Sequence, residues 1–161
     1  MENFAHQQNE LTIHVKTGIT KKDKDEVLKE LTQLLVDSGN VESTYINAVI
    51  DREKEYATGL RLGGEINVAL AHADIIHVKK SGFSLGIMEN PIEFNEMGNP
   101  EGVVPVHVIF VMAAVNPQAV MGFIERLTER VFMDDAVMQQ IYTTKDESVT
   151  KDLLTRLLLK E

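Results

Sequence analysis

A long apolar run near the middle of the sequence constrains the fold more than any other feature. Apart from Pro105 and His107, every residue from Val103 to Val115 is Val, Ile, Phe, Met or Ala. A strand without polar alternation is typical of a central strand that is covered on both faces. The longest unbroken part, Val108–Val115, has eight residues, whereas a transmembrane helix needs about 20. The run therefore predicts a buried strand of a sheet that has layers packed on both sides.

Residues at helical spacing predict helices before and after this strand. Apolar residues over 27–35 form one helical face, with Thr20 as the expected N-cap, and a second helix is predicted over 45–56. Asn116–Pro117 begins another helix, because Asn is a strong N-cap and Pro fits the first helical turn. Two more helices are predicted after it, and Ser148 is the expected N-cap of the last.

Shorter strands complete the predicted sheet. The candidates are 11–15, 66–71 and 83–88. Glycines over 59–64 predict a loop, Asn90-Pro91 predicts a turn, and 96–102 is predicted to be a polar loop. The order of elements predicts an α/β fold, a single layered domain in which helices flank both faces of a central mixed β-sheet. We expect this domain over 11–161, after a flexible lead-in over 1–10.

Composition and charge exclude several classes of function. The 161-residue chain has no cysteine, which excludes disulfides, thiolate metal sites and a cysteine nucleophile. Asp and Glu number 25 against 16 Lys and Arg, for a net charge of −9. The densest basic stretch, Lys21–Lys24, contains Asp23, so we expect no nucleic-acid partner. The polar N-terminus lacks a signal-peptide core, so we expect a cytoplasmic protein without direct membrane insertion.

One histidine stands out as a candidate functional group. His14 and His107 lie within predicted strands, where a packed or surface imidazole is the ordinary interpretation. His72 instead comes directly after an apolar strand, between the small residues Ala71 and Ala73, which leave its ring accessible. Strand ends beside glycine-containing loops are where α/β proteins place many of their functional groups. From these residues alone, an ordinary surface histidine stays an open alternative.

The spacing of the histidines argues against a metal site, and no cofactor is expected. His72 and His77 would lie on opposite faces of a strand, or about 140° apart on a helix. Asp74 could join them only in a specially shaped loop. The sequence also lacks the G-x-x-x-x-G-K-[ST] phosphate-binding motif and the G-x-S-x-G nucleophile motif.

Four short motifs follow one another between residues 41 and 78. They are Arg52-Glu53 near the end of the second helix, Thr58-Gly59 in the turn after it, Ala71-His72 at a strand end, and His77-Val78 downstream. In this order and spacing they resemble the enzyme IIA domains of the fructose–mannitol class of the bacterial phosphoenolpyruvate-dependent sugar phosphotransferase system. The loop length before the strand and the downstream His-Val are most similar to the galactitol-type branch.

The resemblance implies a phosphoryl relay in which His72 is the carrier. In this family a histidine accepts a phosphoryl group from the phosphocarrier protein HPr and passes it to a cysteine of enzyme IIB, which works with the membrane protein enzyme IIC. Imidazole suits this role, because its ordinary pKa of about 6.5 leaves it neutral near pH 7. Arg52 matches the family's arginine and would grip phosphoryl oxygens. Thr58 and Gly59 would offer a hydroxyl or a backbone N–H to phosphate.

Two positions depart from the family pattern. Ala71 stands where the family has a proline before the histidine, and Ala119 stands where mannitol and fructose members place a second polar residue. Galactitol-type members tend to have glutamine in this neighbourhood, so Gln118 is the candidate for the second group. The implied substrate system is that of galactitol or a related polyol. Two alternatives stay open: a regulatory module that signals its phosphorylation state, and a scaffold of the same fold that is never phosphorylated.

Overall fold

The computed structural model describes residues 11–159, which form five strands and five α-helices. The strands are β1 (Thr12–Ile19), β2 (Gly59–Leu60), β3 (Val68–Ala71), β4 (Gly82–Glu96) and β5 (Asn99–Ala113). The helices are α1 (Lys24–Asp37), α2 (Tyr45–Glu55), α3 (Pro117–Leu127), α4 (Asp135–Thr143) and α5 (Glu147–Leu159). A 3₁₀ turn, Ile75–His77, follows β3, and a π-helical turn, Thr128–Phe132, extends α3. The lead-in predicted over 1–10 lies outside the described residues.

The sheet is mixed, as predicted. β4 and β5 form an antiparallel hairpin, β1 runs parallel to β4, and β3 runs parallel to β5. β2 pairs antiparallel with β3 and meets the end of β4. Because Ala71 of β3 lies opposite Val111 of the parallel strand β5, the two carboxyl ends reach the same edge of the sheet. His72 and the segment that leads into α3 therefore lie at one edge.

Helices cover both faces of the sheet, which explains the apolar run in β5. Successive residues point to opposite faces: Phe110 packs in the core on the side of α3, α4 and α5, whereas Val111 packs on the side of α1 and α2. Neither side chain is more than 1% exposed. Burying a side chain of this size contributes about 1.5–3 kcal/mol to folding. Leu70 and Ala71 of β3 follow the same alternation.

Two helix caps differ from the sequence prediction. The N-cap of α1 is Asp23 rather than Thr20, and its carboxylate accepts a backbone N–H of the first turn at 3.1 Å. Helix α5 begins at Glu147, before the expected cap Ser148, and the Asp146 carboxylate accepts the first backbone N–H groups. In both cases an aspartate lies closer to the helix start, and a carboxylate also interacts favourably with the helix dipole.

Three segments predicted as turns or loops belong to strands. β4 continues through Asn90-Pro91. Its parallel partner β1 ends opposite Met88, and its register with β5 shifts between Ile87 and Ile92. Pro91 therefore interrupts no regular ladder of hydrogen bonds. The segment 96–102 is strand on both sides of a tight turn, in which Gly98 has a φ of 78°. Gly59–Leu60 forms β2 at the start of the predicted glycine loop.

Candidate active site at the carboxyl end of β3

His72 follows β3 directly and lines an open cavity beside the sheet. Its side chain is half-buried. The cavity has a volume of about 540 Å³ and mainly apolar walls, to which Leu70, Ile124 and Phe132 contribute. The imidazole therefore lies at a strand end, next to a space that a second molecule can enter, which is the position that the sequence predicted for it.

The hydrogen bond of the His72 ring assigns its tautomer. Nδ1 lies 3.1 Å from the carbonyl oxygen of Leu70. A carbonyl oxygen can only accept, so Nδ1 carries the hydrogen and Nε2 keeps its lone pair. Burial lowers the pKa of His72 most, the bond to the Leu70 carbonyl partly offsets this, and the charge of Arg52 lowers the pKa further. The ring is therefore neutral at pH 7, with a free lone pair on Nε2.

Arg52 lies in the last turn of α2 and has an exposed side chain. Its Cζ atom lies 5.0 Å from the centroid of the Tyr56 ring. Among residues 11–159 its guanidinium has no carboxylate in ion-pair contact. The Arg52 charge lowers the pKa of His72, with a smaller effect than burial or the hydrogen bond to Leu70. A guanidinium without a carboxylate partner keeps its fork of N–H donors available for an anion.

Thr58 and Gly59 have structural roles in this conformation. The Thr58 backbone N–H and hydroxyl both donate to the buried Glu53 carboxylate, at 2.8 and 2.7 Å. Burial raises the pKa of Glu53, and the two Thr58 bonds oppose that rise. A Cβ on Gly59 would lie 2.6 Å from the carbonyl oxygen of Asn95, so this close contact requires glycine. Direct contact of Thr58 or Gly59 with a phosphoryl group stays a prediction.

The start of α3 contains Ala119, which stands at the position of the family's second polar residue, and Gln118, the candidate for that polar group. Ala119 is 3% exposed, and its backbone N–H donates to Asn116 Oδ1 at 2.8 Å, so it serves the helix cap and the core. Gln118 is exposed. Because α3 follows β5, Gln118 lies at the same sheet edge as His72. A phosphoryl contact by Gln118 stays a prediction.

Tyr45 forms a hydrogen bond with the residue after His72, although the sequence indicated only that it begins the second predicted helix. It is the first residue of α2 and is completely buried. Its hydroxyl donates to the Met112 carbonyl oxygen at 2.6 Å and accepts the Ala73 backbone N–H at 3.1 Å. The one signal in the sequence was chemical: a buried tyrosine hydroxyl needs hydrogen-bond partners.

The other described histidines form hydrogen bonds outside the His72 contacts, although the His77 ring lies 6.0 Å from the Tyr45 ring, centroid to centroid. The pairs are His14 Nε2 with Ser38 Oγ at 3.0 Å, His77 Nδ1 with Thr44 Oγ1 at 2.8 Å, and Asn67 N–H with His107 Nδ1 at 3.1 Å. No group of three or more His, Asp or Glu side chains within residues 11–159 is placed to hold a metal ion. No helix in the described part of the chain combines the length and hydropathy needed to cross a membrane.

The fold is that of phosphotransferase-system IIA proteins. One solved structure of this kind is the complex of mannitol enzyme IIA with phosphorylated mannitol enzyme IIB from Escherichia coli. It matches with a TM-score of 0.65 at 21% identity, covering 92% of this chain and 95% of that chain. At this identity the likeness defines the architecture alone.

Sequence comparison identifies the family. The model of the phosphoenolpyruvate-dependent sugar phosphotransferase system EIIA 2 family matches residues 11–156, and the chain belongs to this family. The galactitol-specific EIIA component of Escherichia coli strain K12 is 28% identical over 147 residues, 91% of this chain and 95% of the relative. The ascorbate-specific EIIA component of the same strain is 28% identical over 134 residues, 81% of this chain and 82% of the relative. Family membership makes this chain an EIIA phosphotransfer component of a sugar phosphotransferase system.

Proposed function

We propose that this protein carries phosphoryl groups on Nε2 of His72, from phospho-HPr to the enzyme IIB of a galactitol-type system. The observation that carries the proposal is the hydrogen bond from His72 Nδ1–H to the Leu70 carbonyl oxygen. This bond leaves Nε2 as the nitrogen with a lone pair, on a ring that lines an open cavity. Family membership supports the class of reaction, and the hydrogen bond supports the choice of nucleophile.

The first transfer needs a neutral imidazole. Nε2 attacks the phosphorus of phospho-HPr, a new N–P bond forms on His72, and the bond from phosphorus to the donor breaks with its electron pair. Burial keeps the pKa of His72 below its ordinary value, so the lone pair is available at neutral pH. The Leu70 carbonyl holds the Nδ1 proton throughout, which fixes the ring while the bond forms.

Arg52 supports this transfer electrostatically. Charge spreads over the three equatorial oxygens of a phosphoryl group in transit. An arginine fork can hold two of these oxygens at once, and Arg52 has no competing carboxylate in ion-pair contact within the described residues. Gln118, exposed at the same edge, is proposed as a second hydrogen-bond donor to the phosphoryl oxygens.

In the second transfer, phosphorylated His72 is the donor and enzyme IIB is the acceptor. The cysteine thiolate of enzyme IIB attacks phosphorus, an S–P bond forms, and the N–P bond breaks with its electron pair returning to Nε2. His72 is thereby restored for another cycle. This role would place the chain in the cytoplasm, between HPr and a IIB component that works with the membrane protein enzyme IIC.

Galactitol is the proposed sugar because the galactitol-specific relative aligns with 91% of the chain, against 81% for the ascorbate-specific relative at equal identity. The test uses phosphoenolpyruvate, enzyme I, HPr and this chain, followed by galactitol IIB or ascorbate IIB. We expect the chain to gain one phosphoryl group and to lose it faster to galactitol IIB. Equal or faster transfer to ascorbate IIB would contradict the sugar assignment. Phosphorylation without transfer to any IIB would indicate a regulatory module, and absence of phosphorylation would contradict the proposal.

A further inference from the structure

We propose that Tyr45 is a positioning residue, whose hydroxyl holds the backbone after His72 and the helix that bears Arg52 at a fixed separation. This inference rests on the proposed function of His72. The Tyr45 side chain is 0% exposed, and its hydroxyl makes two hydrogen bonds to backbone groups. These bonds join three separate parts of the site, namely α2, the end of β5 and the residue after His72.

The bond to Ala73 acts on the nucleophile. Ala73 follows His72 directly, and its N–H donates to the Tyr45 hydroxyl at 3.1 Å. The His72–Ala73 peptide is therefore held on one side by Tyr45, while the His72 ring is held by the Leu70 carbonyl. The backbone and the ring of His72 are thus both restrained, and a nucleophile held in a defined orientation reacts faster.

The position of Tyr45 in α2 also links it to Arg52, whose guanidinium is carried by the same helix. Arg52 lies two turns further along the same helix, and residues at this spacing share a helical face. The Tyr45 hydroxyl also donates to the Met112 carbonyl oxygen in β5 at 2.6 Å. Because β5 and β3 are paired side by side, the start of α2 is tied to the strands that present His72. A shift of α2 would move the Arg52 charge relative to the imidazole.

The hydroxyl must stay protonated to make both bonds, since it donates one and accepts the other. Burial raises the pKa of Tyr45 to about 12, so this condition holds throughout the neutral range. The ring fills the core whether or not it bears oxygen, so a phenylalanine would keep the packing and remove only the two bonds. The positioning role can therefore be separated from the packing role.

The test is Tyr45→Phe, compared with Tyr142→Phe. Tyr142 is half-buried and packs against His107, which lies beside the beginning of β3, at the opposite end from His72. We expect Tyr45→Phe to lower the maximal rate of phosphoryl acceptance about tenfold, because small misplacements of reacting groups are costly. The KM for phospho-HPr should not change. The His72 pKa, followed by NMR, should rise as the Arg52 charge moves away, and Tyr142→Phe should change neither value.

Three outcomes decide the proposal. A folded Tyr45→Phe variant with the wild-type rate and the wild-type His72 titration would overturn it. If the wild-type chain accepts no phosphoryl group, the proposed function fails, but the titration needs no phosphotransfer and still tests the positioning. If Tyr45→Phe does not fold, hydrogen exchange of the Ala73 amide in the wild-type chain provides the test. Slow exchange supports the bond to Tyr45, and exchange at the rate of an exposed amide overturns it.

Discussion

His72 donates its Nδ1–H to the carbonyl oxygen of Leu70, two residues earlier in the same chain, at 3.1 Å. The bond uses a carbonyl at the end of β3, so the strand itself sets the orientation of the ring. It assigns the hydrogen to Nδ1 and the lone pair to Nε2. The orientation of the His72 ring, which is proposed to carry the phosphoryl group, is thus set by the backbone of β3.

Replacement of Arg52 should slow phosphoryl transfer more than it weakens docking. Removing a charged donor that stabilises a transition state costs about 100-fold in rate, so we expect a loss of this order for Arg52→Ala in rapid-quench experiments with phospho-HPr. Arg52→Lys should recover part of the rate, because it restores the charge without the fork. The control is Lys54→Ala, which removes another exposed cation of α2. A rise in KM at an unchanged maximal rate would contradict the assigned role.

The acid limb of phosphoryl acceptance should lie below pH 6.5. Burial lowers the pKa of His72, and Arg52 lowers it further, so the ring stays neutral until the pH falls through this lowered value. The acceptance rate should then fall, because a protonated Nε2 has no lone pair. Rates measured at constant ionic strength should trace this limb, and NMR titration of His72 should reproduce it. In Arg52→Ala the limb should move to higher pH; movement to lower pH would show that the electrostatic coupling is wrongly assigned.

The buried hydrogen bonds between Glu53 and Thr58 should stabilise the folded protein. Glu53 is 3% exposed, and its carboxylate accepts two hydrogen bonds from Thr58. Thr58→Val removes the hydroxyl and leaves one carboxylate oxygen with fewer partners, which costs about 1–3 kcal/mol. Urea denaturation should show this loss, whereas Glu55→Gln, an exposed change in the same turn, should stay within about 0.5 kcal/mol. Equal stabilities for the two variants would contradict the structural role of Glu53.

His107 should contribute to acid destabilisation of the fold. Its Nδ1 accepts the Asn67 backbone N–H, and burial lowers its pKa. The unfolded chain binds the proton near pH 6.5, before the folded chain does, so stability present above that pH is lost as the pH falls through 6.5 to the lowered value. The unfolding free energy should therefore decrease between pH 7.5 and 5.5. His107→Gln should reduce this dependence, and an unchanged slope would exclude His107 as a contributor.

The general architecture was predictable because it follows from local patterns. The apolar run in β5 required cover on both faces, and the cap at Asn116 marked the start of α3. His72 was a candidate because it directly follows an apolar strand, and the structure places it at that strand end. Arg52 was a candidate through the family resemblance, and the function of both residues stays a prediction. These patterns lie within short stretches of sequence, so they can be recognised without knowledge of the tertiary structure.

The missed features depend on contacts between distant parts of the chain. The partners of Tyr45 are backbone groups of Met112 and Ala73, and no side-chain pattern indicates such a bond. The path of β4 through Pro91 depends on where β1 ends, which the local sequence of β4 does not show. Likewise, the sequence did not show that the Glu53 carboxylate accepts hydrogen bonds from both the backbone N–H and the hydroxyl of Thr58.

The most direct test of the account identifies the phosphorylated atom. The wild-type chain and His72→Ala, with His77→Ala as the control, are incubated with phosphoenolpyruvate, enzyme I and HPr, and measured by intact mass and by ¹⁵N–³¹P NMR. We predict one added phosphoryl group on the wild-type chain and on His77→Ala, none on His72→Ala, and a phosphorus–nitrogen coupling to Nε2 of His72. A phosphoryl group retained by His72→Ala, or a coupling to Nδ1, would contradict the central claim.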